Sequence, residues 1–252
     1  MTGTLTIVGL GPGPEGWVTP AATEAVDHAD MILGYAPYVN RLTPKAGQVF
    51  EATDNREELA RAERALHLAG SGRRVALVSG GDPGVFAMAA AVYEAVEKNP
   101  ASAEKIDIRV EPGVTAMLAA AARIGAPLGH DFCAISLSDN LKSWATIEKR
   151  LRLAAEADFV IALYNPASKA RPQQIKQAFD LLAGVLPAET IVVFARAVGR
   201  ADEEVDVTTL AHATEMPCDM RTLVMVGSRE TRKVVAADGR AWVYTPRSER
   251  ER

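Results

Sequence analysis

The most chemically pointed stretch of this 252-residue chain is Gly80-Gly81-Asp82-Pro83-Gly84. Glycines let a backbone turn tightly and come close to a ligand, because no Cβ stands in the way. Pro83 fixes φ and suits the start of a helix. Asp82 stands where its carboxylate can cap that helix or meet a polar ligand group. The run before the loop, Val75 to Val78, reads as a buried strand, and a small-residue helix carrying Val85 and Phe86 is expected after it. Ligands of open α/β sheets bind outside the carboxyl ends of strands, and this loop has that address. On its own GGDPG equally describes a helix-capping turn. Two further loops change its weight: GLGPGPEG follows the apolar run Leu5 to Val8, and EPGVTA follows Ile106 to Val110.

Gly11, Gly13 and Gly16 satisfy the spacing G-x-G-x-x-G, which suggests a dinucleotide site. The context argues against it. A dinucleotide loop feeds straight into a helix whose N–H groups hold pyrophosphate. Here Pro12 and Pro14 remove two of those donors, and the helix starts several residues late, at the Thr19 cap and Pro20. The next strand, Met31 to Leu33, ends in Gly34-Tyr35 and not in the acidic residue that holds a ribose. A stiff, proline-rich loop lying over a ligand is the better reading. Other catalytic constellations are missing from the sequence pattern. His28, His67, His130 and His212 are scattered, and Cys133 and Cys218 stand far apart with no CxxC, so no metal site is expected and both thiols read as small hydrophobes.

The elements around these loops follow from periodicity. The first part alternates strand and helix, the pattern of a parallel sheet covered by helices. Pro20 to Ala29 is a helix, and Gly34 to Leu42 (GYAPYVNRL) is a turn. Val49 to Thr53 is a short edge strand. Arg56 to Leu68 is a helix whose charges, Arg56, Glu57, Glu58, Arg61, Glu63 and Arg64, form a solvated face. Ala87 to Glu97 is a further helix. The second part has strands at Phe132 to Ser136, Phe159 to Tyr164, Thr190 to Ala195, an edge strand at Glu204 to Thr208, and a last buried strand at Leu223 to Val226. Two α/β domains are expected, 1–117 and 118–252. The formal net charge is -4, from 28 basic and 32 acidic residues, which argues against nucleic acid as the main partner. With no signal peptide pattern and no apolar stretch long enough to cross a bilayer, no membrane partner and a cytoplasmic location are expected.

Taken in order, VGLGPG, SGGDPGVF, EPGVTA, SLSD and YNPASKAR resemble the motif series of the tetrapyrrole (precorrin) methylases. The resemblance covers nearly the whole chain. Within the family, GYAPYVNRL with YNPASKARP most resembles the members that methylate carbon 17 of the macrocycle and contract the ring. The resemblance implies two α/β domains with the active site in the cleft between them, a homodimer, S-adenosylmethionine as methyl donor and a tetrapyrrole as acceptor. Carried over by position, cofactor contacts fall on Pro12, Gly81, Asp82, Val85, Phe86, Thr115, Ala116, Tyr164, Asn165, Ala197 and Val198. The implied acceptor carries many carboxylates and needs cations. Arg41, Lys169 and Arg171 are the candidates, with Arg196 and Arg200 behind them.

Methyl transfer from a sulfonium needs an in-line approach of a nucleophilic carbon and little covalent help from protein. Ring contraction also moves a proton, which wants a positioned acid or base. Asp82, Asp139 and Tyr164 are the candidates, unranked by the sequence. The sequence leaves open whether the acceptor contains cobalt. It also leaves a sibling methylase acting on another ring carbon, a nicotinamide-dependent oxidoreductase and a non-catalytic adenosyl-binding module as alternatives.

Overall fold

The computed structural model describes residues 3–54, 57–168 and 170–248. The chain divides into two compact units, Met1–Thr115 and Ala116–Arg252. No described helix is long and apolar enough to cross a membrane.

In the first unit the apolar runs become β1 (Gly3–Gly9), β2 (Met31–Tyr35), β3 (Val49–Thr53), β4 (Arg74–Ser79) and β5 (Ile106–Glu111). They form one sheet in the order β3-β2-β4-β1-β5, every neighbouring pair parallel. Parallel pairs need crossovers, here carried by α1 (Pro20–His28), α2 (Ala36–Val39), α3 (Glu58–Gly70) and α4 (Met88–Lys98). Alternate strand residues explain which helix goes where. Leu5, Ile7, Leu33, Val75 and Leu77 pack with residues of α3 and α4. Val8, Ile32, Ala76 and Val78 pack with Ala22 and Val26 of α1 and Val39 of α2. Burial on both faces is why these strands read as continuous apolar runs. It also means that the chain leaving β1 goes to one face and the chain leaving β4 goes to the other. These two strands are neighbours, so a crevice opens at their carboxyl ends.

Several boundaries follow the expected chemistry. The Ala22 amide donates to Thr19 Oγ1 at 3.1 Å, and Pro20 opens α1. Others differ. The expected turn at Gly34 to Leu42 contains α2, which Pro37 favours by sitting in its first turn. Val85 and Phe86 are not helical: Phe86 has φ 53° and Ala87 is extended, so α4 starts only at Met88. Arg61 is not on a solvated face. It is 2% exposed, with Nε donating to Thr53 Oγ1 at 2.5 Å, one terminal nitrogen to Met88 Sδ at 3.3 Å and the other to the Asp54 carbonyl. Burial pushes its pKa down, opposed by the charges of Glu58, Glu57 and Asp54. Arg56, expected on the same face, lies outside the described residues.

The second unit opens with α5 (Ala116–Ile124) and β6 (Gly125–Ala126), then β7 (Phe132–Ser136), α6 (Trp144–Glu156), β8 (Val160–Tyr164), α7 (Gln174–Ala183), β9 (Ile191–Arg196), β10 (Glu204–Thr209) and β11 (Thr222–Val226). The main sheet runs β10-β9-β11-β8-β7. β7 and β8 are parallel, while β11 is antiparallel to both β8 and β9. Hence β7, β8 and β9 point the same way, and their carboxyl ends share one edge. Ile161, Leu163, Val192, Phe194 and Val224 pack against Ile147 and Leu151 of α6 and Phe179 and Leu182 of α7. The last buried strand expected at Leu223 to Val226 is β11, every residue of it buried, and two mostly exposed strands come after it. β12 (Arg232–Val235) and β13 (Ala241–Tyr244) follow and pair with each other and with β6. They are short, and Val234, Val235 and Trp242 are exposed, so they lack the buried apolar run that marks a strand in sequence.

Candidate active site

In the first unit three loops meet at the carboxyl edge of the sheet. The Leu10 amide donates to the Ser79 carbonyl at 2.9 Å and the Gly11 amide to the Gly81 carbonyl at 3.1 Å, which zips the loop after β1 to the loop after β4. The loop after β5 lies against both. A Cβ on Gly113 would stand 2.3 Å from the Gly81 carbonyl oxygen, so only glycine permits this approach. Asp82 ties the same two loops through its side chain. Its Oδ1 accepts the Gly84 amide at 2.8 Å, and its Oδ2 accepts the Gly113 amide at 3.0 Å. Pro12, Gly81, Asp82, Val85 and Phe86 are thus brought to one edge, with Phe86 half-exposed. Thr115, 5% exposed, ends the third loop. Arg41 joins them from the end of α2 and donates to the carbonyls of Leu10, Gly11 and Gly13 at 2.8, 2.8 and 2.9 Å.

In the second unit the residues expected from sequence gather on the edge shared by β7, β8 and β9. Tyr164 ends β8, and its Oη accepts the Met117 amide at 3.1 Å, one of the amides that the first turn of α5 leaves open beside Ala116. Asn165 has φ 51°, and its Nδ2 donates to Ser136 Oγ at 2.9 Å, joining the ends of β8 and β7. Ala197 and Val198 follow β9 and are buried, Ala197 with φ 50°. Asp139 pairs with Arg171 at 3.8 Å and accepts from Gln174 Nε2 at 3.4 Å. Lys169 lies outside the described residues. Arg196 is engaged elsewhere. Its Nε donates to Asp219 Oδ2 at 3.0 Å and one terminal nitrogen reaches Asp202 at 3.4 Å, while Arg221 pairs with Asp202 at 2.7 Å. The Asp219 hydrogen bond holds the Arg196 pKa above its ordinary value.

Four described residues other than glycine have positive φ: Phe86, Asp158, Asn165 and Ala197. Three of them sit in the loops after β4, β8 and β9, among the expected cofactor contacts. Such backbone costs about 1–3 kcal/mol per residue and concentrates at ligand sites. Sequence reasoning missed the groups that hold the loops. Gly113 stood within a quoted motif without being singled out. Ser136 likewise opens the quoted SLSD without being singled out, and Met117 gave no local signal.

Residues 4–214 match the family model of the tetrapyrrole (corrin/porphyrin) methylases. The chain belongs to this family. A precorrin-3B C(17)-methyltransferase from Sinorhizobium sp is 59% identical over 248 residues, covering 98% of this chain and 97% of that protein. A probable cobalt-factor III C(17)-methyltransferase from Salmonella typhimurium is 44% identical over 229 residues, covering 90% of this chain and 93% of that protein. Among solved structures, that of the methyltransferase CobJ matches with a TM-score of 0.92 and 52% identity, over 97% of this chain and 100% of the other. A transferase that holds two ligands in register needs shaped loops more than a nucleophile.

Proposed function

We propose that this chain is an S-adenosylmethionine-dependent C-methyltransferase that methylates carbon 17 of precorrin-3B, with ring contraction to precorrin-4, in cobalamin biosynthesis. The observation that carries this reading is the 59% identity, end to end, with a relative of that name. The cobalt-containing acceptor named for the Salmonella relative is the nearest alternative substrate. The enzyme acts as a cytoplasmic homodimer on a small-molecule tetrapyrrole, without nucleic acid or membrane as partner.

The loops after β1, β4 and β5 fit an adenosyl group, because they offer backbone groups at a sheet crevice and the half-exposed ring of Phe86 on a fixed, positive-φ backbone. When bound, S-adenosylmethionine supplies an electrophilic methyl carbon on a sulfonium. The residues that would contact it are Pro12, Gly81, Val85, Phe86 and Thr115 in the first unit, and Ala116, Tyr164, Asn165, Ala197 and Val198 in the second. Asp82 holds the loops together, since backbone amides engage both of its oxygens. Lys169 and Arg171 meet acceptor carboxylates. Tyr164 and Asp139 move the proton that ring contraction requires. Tyr164 is suited to donate, because its oxygen already accepts the Met117 amide.

Calorimetry with S-adenosylhomocysteine and with NAD tests the cofactor half of the reading. Micromolar binding of the first and none of the second is expected. Tight binding of NAD alone sinks it.

A further inference from the structure

We infer that Arg41 is a positioning residue for the cofactor side of the site, acting through the loop after β1. The inference rests on the methyl-donor reading above. The loop runs Gly9-Leu10-Gly11-Pro12-Gly13-Pro14. Its two prolines have no N–H, so the loop cannot tie itself down through those amides. The carbonyls that precede the prolines belong to Gly11 and Gly13. Both accept from Arg41, at 2.8 and 2.9 Å, and the Leu10 carbonyl accepts at 2.8 Å. One planar guanidinium therefore supplies donors to three carbonyls of the loop, and it fixes the peptide that enters Pro12, the first expected cofactor contact, and the peptide that enters Pro14.

Arg41 is itself held. Its amide donates to the Tyr38 carbonyl at 3.1 Å, and the Leu42 amide to the Val39 carbonyl at 3.0 Å. Val39 is 2% exposed in the core with Ile32 and Val78. The fork thus stands on a buried anchor. Lysine keeps the charge but not the rigid geometry, so it cannot replace the fork. Sequence alone assigned Arg41 to acceptor carboxylates, and the two roles separate cleanly by experiment.

The test uses the full chain and the variants Arg41→Lys and Arg41→Ala. S-adenosylhomocysteine affinity is read by calorimetry, and the acceptor KM at saturating methyl donor. Both variants are expected to bind S-adenosylhomocysteine at least about 10-fold more weakly, with the acceptor KM within about twofold of wild type. Methylguanidinium ion restores binding to Arg41→Ala. An unchanged S-adenosylhomocysteine affinity in Arg41→Lys overturns the inference, and a raised acceptor KM beside it makes Arg41 a substrate cation. If Arg41→Ala does not fold, Arg41→Lys alone decides. A wild-type chain that binds no S-adenosylhomocysteine contradicts the methyl-donor reading and the inference with it. That failure differs from the clamp's own, in which wild type and variants bind alike.

Discussion

Ala197 holds φ at 50° without being glycine. An L-residue in that region loses about 1–2 kcal/mol to the clash between Cβ and the following carbonyl. Ala197→Gly is therefore expected to raise stability by about 0.5–1 kcal/mol in urea unfolding, and a comparable loss would count against strain at this position. Asp82 makes a different claim. Asp82→Ala leaves the Gly84 and Gly113 amides without their acceptors. It is expected to cost about 2 kcal/mol and to weaken S-adenosylhomocysteine binding about tenfold, with Asp82→Asn between it and wild type. Equal affinities across the series would remove the staple from the site. The two thiols give a pH effect. Burial pushes Cys133 up to about 11, and it pushes Cys218 up to about 12 against a hydrogen bond to Thr222. The unfolded chain loses these protons at lower pH than the folded one. Their contribution is whole below the ordinary value of 9.0 and is lost as pH rises through the folded values. Urea midpoints from about pH 8 to about pH 11 are expected to fall less steeply in a Cys133→Ala, Cys218→Ala double variant.

The central strands were legible because both of their faces are buried, which makes Val75 to Val78 an unbroken apolar run and leaves Thr6 the one polar residue between Leu5 and Val8. The stripe of α3 was legible too, in Ala62, Ala65, Leu66 and Ala69. Arg61 was not, although it lies four residues before Ala65 on the same face. Its partners are Thr53, Asp54 and Met88, and no local pattern announces a partner supplied by another element. Arg61→Ala is expected to cost about 3 kcal/mol, because it leaves a cavity and unpaired acceptors. Arg61→Met fills the space and is expected to cost less. Urea unfolding of both variants checks the order, and two variants as stable as wild type would refute the buried role. The short elements failed for a related reason. α2 has four residues, too few for a period, and β12 and β13 bury Val243 alone among exposed or half-exposed residues, too little to make an apolar run.

For the chain as a whole, the loops of the candidate site stood out because glycine and proline cluster in a fixed place, just past a strand. What holds the loops did not. The Asp82–Gly113, Asn165–Ser136 and Tyr164–Met117 bonds each join residues far apart in sequence, and the direction of β11, which sets β8 and β9 pointing the same way, is a matter of pairing and not of composition. Arg41, expected from sequence to meet acceptor carboxylates, donates to three carbonyls of another loop that no local pattern announces. The family sets the reaction class, and 59% identity with one relative carries the choice of ring carbon. The most direct measurement is incubation with precorrin-3B and S-adenosylmethionine labelled in its methyl group, followed by NMR of the product. The account predicts label on carbon 17 of a contracted ring. Label on another carbon, or transfer only to the cobalt-containing acceptor, would contradict it.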